Sequence, residues 1–183
     1  MMFSKIQIES ILQDYAEYNH EKYSSVKEKQ ENFKAFTEWE FNNIQGELNK
    51  LDGQHKFYNT SKNYIYDLLS ANPDQSQSMA HLNTCIPDLF TIIKGHSGRS
   101  FMEFGAGIGL VCQIVNEQTA KRVTYVDIET PIVQFAKWRF EKYPTPNKPI
   151  EMMIISQDDF EFGFREWSMI YTNAVWEHLD PVM

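Results

Sequence analysis

The hydrophobic positions of this chain follow two different rhythms. Up to residue 95 they recur at helical spacing: Ile8, Ile11, Leu12 and Tyr15 fall at i, i+3, i+4 and i+7, along one face of a helix. Phe33, Phe36, Phe41, Ile44, Leu48 and Leu51 make a longer stripe, closed at Asp52-Gly53 because glycine readily takes the left-handed conformation that ends a helix. A third segment runs through Tyr64, Ile65, Leu68 and Leu69 and stops before Pro73. After the polar, breaker-rich stretch 70–78, Met79, Leu82 and Ile86 resume the period, and Pro87 starts a fresh turn that ends at Lys94-Gly95. No internal repeat is present.

From Arg99 the rhythm changes to short apolar runs separated by helical segments, the pattern of βαβ units and a parallel sheet. Strands are expected at Ser100–Phe104, Val123–Asp127, Met152–Ser156 and Met169–Ala174, with helices at Ile108–Gln118 and Pro131–Tyr143. The fold class expected is α/β, a partial Rossmann-like parallel sheet of four strands preceded by an N-terminal helical region. The domains expected are 1–95, helical, and 96–183, the sheet.

Composition narrows the function classes. At 183 residues, 42% hydrophobic and 23% charged, the chain has the make-up of a globular protein with a core. The net charge is −8, shared equally between residues 1–95 and 96–183, and no cluster of Lys and Arg stands out. A nucleic-acid partner needs such a cluster to displace counterions, so none is expected. Cys85 and Cys112 form no CxxC and allow at most one bridge, which fits a reducing compartment, and a cytoplasmic location is expected. Glu9, Asp14 and Glu17 fall where a signal peptide needs an apolar stretch, and no run approaches the roughly 20 apolar residues of a membrane span. No membrane partner is expected. His20, His55, His81 and His96 are scattered without neighbouring Cys or paired acids, so no metal site is expected either.

Chemistry concentrates in Phe101-Met102-Glu103-Phe104-Gly105-Ala106-Gly107-Ile108-Gly109-Leu110. A glycine-rich turn between a strand and a helix lets backbone approach a ligand, and the helix N-terminus offers N–H groups to an anion. The alternative is a tight turn without a ligand. Glycines at 105, 107 and 109 give G-x-G-x-G, where dinucleotide folds usually show G-x-G-x-x-G. The next strand, Val123-Thr124-Tyr125-Val126-Asp127-Ile128, ends in a carboxylate 18 residues after Gly109. Ligands of open parallel sheets sit beyond the carboxyl ends of the strands, where Asp127 can accept hydrogen bonds from a ribose diol. A helix cap or loop carboxylate is the plainer alternative.

On these two motifs the second half resembles a class I S-adenosylmethionine-dependent methyltransferase of the small-molecule type, over Ser100 to Pro181. The resemblance implies that Gly105, Ala106, Gly107 and Gly109 border the methionine part of S-adenosylmethionine and that Glu103 helps hold its amino group. Asp127 would bind the ribose hydroxyls and Ile128 would lie on the adenine. In Ser156-Gln157-Asp158-Asp159-Phe160, Asp158 matches the acid that meets the adenine amino group, unless both acids are solvated loop charges. The stretch Trp167 to Pro181 resembles the fourth-strand motif and its Glu-His sequel, which puts Asn173 on the cofactor side and makes His178 a general base, a helix-start residue or a pocket wall.

The family usually opens strand four with Asp where Ser168 stands, a departure that implies a lost structural hydrogen bond. Its sheet also has seven strands. With four here, the chain is expected to be a fragment of a longer enzyme or to be completed by another polypeptide, with self-association or a partner chain at the open edge. Six of the nine tyrosines lie in the helical half; they either line an acceptor pocket, with Tyr58 and Tyr64 as candidates, or form a helical core. The function expected is methyl transfer to oxygen or nitrogen of a small-molecule acceptor. The alternatives are a non-catalytic cofactor-binding module or partner subunit, and a nicotinamide-dependent oxidoreductase.

Overall fold

The structure is a computed structural model that describes residues 5–45, 56–61, 63–69, 88–144, 148–155 and 167–172. The chain divides into two compact units, Met1–Pro87 and Asp88–Met183.

The first unit is helical: α1 (Lys5–Tyr18), α2 (Tyr23–Glu31), α3 (Phe33–Gln45), α4 (residues 56–60) and α5 (Tyr64–Leu68). The apolar stripe of α1 turns inward, with Ile11, Leu12 and Ala16 buried, and Val26, Phe33, Phe57, Ile65, Tyr66 and Leu69 are buried in the same unit. Helix α1 ends without glycine: His20 takes φ 57°, and the amides of His20 and Glu21 fold back onto the carbonyls of Glu17 and Ala16. Leu48, Leu51 and the expected stop at Asp52-Gly53 lie outside the described residues.

The second unit opens with α6 (residues 88–95) and continues through β1 (Ser100–Phe104), α7 (Leu110–Gln118), β2 (Arg122–Ile128), α8 (Pro131–Lys142), β3 (Glu151–Ile155) and β4 (Met169–Thr172). The four strands form one all-parallel, Rossmann-like sheet in the order β3-β2-β1-β4. Every residue of β1 is buried, as a central strand covered on both faces requires. Thr130 caps α8 by accepting the Val133 amide, with Pro131 in the first turn, where its missing N–H costs nothing.

Strand alternation decides which side chains meet. Phe104 pairs with Val126, and these two with Met102 form a buried cluster on one face, joined by Met153, Ile155 and Trp167. Glu103 pairs with Tyr125, so Glu103, Tyr125 and Asp127 share the opposite face, where the first turn of α7 meets β1 through a bond from the Cys112 amide to Glu103.

The amino end of the sheet is fastened separately. The amide of Ser100 donates to Ser168 Oγ at 3.2 Å, the amide of Ser168 donates to Ser100 Oγ at 2.9 Å, and the two hydroxyls lie 2.9 Å apart. Ser168 therefore supplies its own reciprocal link between β1 and the start of β4, and the hydrogen bond expected to be lost is replaced. Lys121, buried just before β2, donates to the carbonyl oxygens of His96 and Gly98. Among the described residues β4 pairs with β1 alone.

Candidate functional site

The strand order itself marks a position for a ligand. The chain steps from β1 outward to β2 and β3, then returns to the far side of β1 to form β4, so the connections diverge above the carboxyl ends of β1 and β4. Open parallel sheets bind ligands at such a switch point. The glycine turn emerges from β1 there.

Each glycine of the turn has positive φ: 69° at Gly105, 54° at Gly107 and 71° at Gly109. Side chains rarely adopt that conformation, which explains the alternation of glycine with Ala106 and Ile108. Gly109 has a second reason to lack a side chain. A Cβ there would run into the ring of Phe140 on α8. Gly109 is the residue just before α7, which therefore begins at Leu110, two residues later than the expected Ile108.

Two carboxylates strap this turn from below. Asp127 accepts the Gly107 amide on Oδ2 at 2.7 Å and the Ile128 amide on Oδ1 at 2.8 Å. Glu103, buried, accepts the Cys112 amide on Oε2 at 2.8 Å. Burial pushes the Glu103 carboxyl up to about 8; the Cys112 bonds oppose this and the charge of Asp127 adds to it. Burial likewise raises Asp127 to about 6 against the two amides that favour its charge. The thiol of Cys112, free and buried, is pushed well above the usual range by burial and then by Glu103.

The sequence motifs did not assign roles to the rest of the cradle. The Tyr125 hydroxyl donates to the Gly107 carbonyl at 2.7 Å, and its ring meets Phe140 edge-on at 5.8 Å. Buried Arg139 donates to the Ile108 carbonyl at 3.4 Å and to Gln113 Oε1 at 2.8 Å. Tyr125 was legible as a neighbour of Asp127 in the strand motif; Arg139 and Phe140 carried no signal, because only the packing of α8 brings them under the turn.

The turn thus brings together Glu103, Gly105, Ala106, Gly107, Gly109, Asp127 and Ile128. Asp158, Asn173 and His178 lie outside the described residues. Tyr58 and Tyr64 belong to the helical unit, where they stack edge-on at 4.9 Å and both meet Phe57. A surface groove of about 320 Å³ lined by Phe140, Tyr143, Pro144, Ile150 and Met152 opens beside the amino end of β3 and shares Phe140 with the packing under the glycine turn. Among the described residues no three His, Cys, Asp or Glu side chains are grouped to hold a metal ion, and no helix is long and apolar enough to cross a membrane.

Chemically, the arrangement offers hydrogen-bond donors above and acceptors beside them. The amides of Ile108, Leu110 and Val111, at the mouth of α7, have no acceptor among the described residues. Such amides suit a carboxylate or phosphate, and the helix dipole adds to their pull. Each oxygen of Asp127 has accepted one hydrogen bond from the protein and has a second lone pair for a hydroxyl. No family model matches the chain, and no curated protein matches it.

Proposed function

We propose that this chain binds S-adenosylmethionine at the β1 turn and belongs to an enzyme that transfers its methyl group to oxygen or nitrogen of a small molecule. The observation that carries this is the Gly107–Asp127 hydrogen bond, which joins a G-x-G-x-G turn at the sheet's switch point to the acid ending the neighbouring strand. The residues present fit an amino acid joined to a nucleoside. Unclaimed amides at residues 108, 110 and 111 suit its carboxylate, and Asp127 suits a ribose diol. Glu103 has no cationic partner among the described residues, so an ammonium group brought by the ligand would supply one.

S-adenosylmethionine, when bound, supplies an activated methyl group whose carbon–sulfur bond breaks as the bond to the acceptor forms. The protein's part is largely proximity and orientation. Gly105 and Gly107 keep the turn thin enough for close approach, and Asp127 fixes the sugar. A hydroxyl acceptor must also lose its proton, and His178 is the base offered by the resemblance. The α/β sheet and the glycine spacing also bear on the nicotinamide alternative, which calls for a different turn.

Isothermal titration of the whole chain with S-adenosylmethionine, S-adenosylhomocysteine and NAD tests the proposal. Saturable binding of the two sulfur nucleosides with none of NAD is expected. Binding of NAD, or of none of the three, would sink it. Methyl transfer to any acceptor then separates an enzyme from a non-catalytic cofactor-binding module.

A further inference from the structure

A βα turn can offer amides to a ligand only if its carbonyl oxygens are turned elsewhere. Here four consecutive carbonyls are occupied by the protein. Ala106 O accepts the Gly109 amide at 2.8 Å and Gly109 O accepts the Gln113 amide at 3.0 Å, both local bonds of the turn and helix. The two between them are held by side chains from other elements: Gly107 O by the Tyr125 hydroxyl and Ile108 O by Arg139. Tyr125 is completely buried on β2, and burial together with the nearby acids keeps its phenol protonated, so it stays a donor across the neutral range. A flip of the 107–108 peptide would aim an oxygen where the reading above needs an N–H and would leave the Tyr125 hydroxyl without an acceptor.

We propose that Tyr125, with Arg139 beside it, is a positioning residue that fixes the 107–108 and 108–109 peptide planes of the glycine turn, their carbonyls inward and the Ile108 amide outward, before any ligand arrives. The identity of the ligand rests on the function proposed above; the ordering of the turn does not.

Tyr125→Phe keeps the ring against Phe140 and deletes only the hydroxyl. In the free chain, amide hydrogen exchange over residues 105–112 is expected to accelerate at least about fivefold, the scale of one hydrogen bond, while peptides from β3 and the end of α8 keep their rates. Titration gives a second readout. Affinity for S-adenosylhomocysteine is expected to fall about five- to tenfold and affinity for adenosine, which lacks the amino-acid part that meets the turn, to stay within twofold. Exchange that is unchanged at 105–112, or equal losses for both ligands, would overturn the proposal. If the unaltered chain binds neither ligand, the function proposed above fails and the exchange experiment alone decides this one. Arg139→Met, which keeps an apolar stem but removes the donor to Ile108 O, supplies a second variant: acceleration at 105–112 is expected, with smaller acceleration in Arg139→Lys, which retains a donor. Should the phenylalanine variant not fold, no acceleration in Arg139→Met would overturn the proposal.

Discussion

Asp127 holds two backbone amides with one carboxylate and, in the function proposed, a ribose diol as well; its variants bear on both roles. Both oxygens accept backbone amides, so Asp127→Asn sets an NH2 group against either Gly107 N–H or Ile128 N–H. Both Asn and Ala are therefore expected to destabilise the second unit by about 1–3 kcal/mol, the cost of an unsatisfied buried donor, as read by urea melts. Affinity for S-adenosylhomocysteine is expected to fall about tenfold or more in Asp127→Ala; binding equal to the unaltered chain would remove Asp127 from the ribose role. The glycines give a sharper contrast. Gly109→Ala meets both an unfavourable φ and the Phe140 ring, and is expected to cost about 2 kcal/mol or more. Gly95→Ala, with nothing near its Cβ position, is expected to change the melting point little. Equal effects at the two positions would show that the turn geometry is misread.

Among the elements, the strands were legible because each is a short, largely apolar run, buried throughout in β1 and exposed or half-buried in β3 and β4, and β1 begins and ends where its pattern does. Helix α2 was not. Its sequence, Tyr23 to Glu31, is polar apart from Val26, its one buried residue, and a single apolar position has no period. The end of α1 was hidden for a related reason, since His20 takes the left-handed conformation that sequence reading assigns to glycine. At the candidate site, the acids and glycines announced themselves by type and spacing. Tyr125, Arg139 and Phe140 did not, because their roles depend on strand register and on how α8 lies. The same applies to the Ser100–Ser168 link, whose partners are 68 residues apart. Ser168→Ala removes the acceptor of the Ser100 amide and is expected to cost about 1–2 kcal/mol in chemical denaturation, while Ser168→Thr, which keeps the hydroxyl, costs less. No difference between the two would mean the link contributes nothing.

For the molecule as a whole, the two raised carboxyls couple stability to pH in a definite direction. Asp127 and Glu103 both bind protons more tightly folded than unfolded. Their contribution is fully present below their unfolded values, near 4, and is lost as pH rises through about 6 for Asp127 and about 8 for Glu103. The melting temperature of the second unit is expected to decline between pH 5 and about 8.5, and Glu103→Gln, which carries no charge, to flatten the upper part of that decline. A profile unaffected by the substitution would show that Glu103 titrates normally. The sheet order has a further consequence, for the sequence of events in folding. The β1–β2 pairing joins residues 22 apart, whereas β1–β4 joins residues 68 apart, and the longer closure costs about 1 kcal/mol more in chain entropy. Strand β1, the glycine turn, α7 and β2 lie within residues 100–128, so the two parallel strands of that βαβ unit can pair while β4 is still unattached. Pulsed hydrogen exchange during refolding is expected to protect β1 and β2 amides before those of β4. The strap between Gly107 and Asp127 would then be in place early, and the crevice between β1 and β4 would be the last part of the sheet to close.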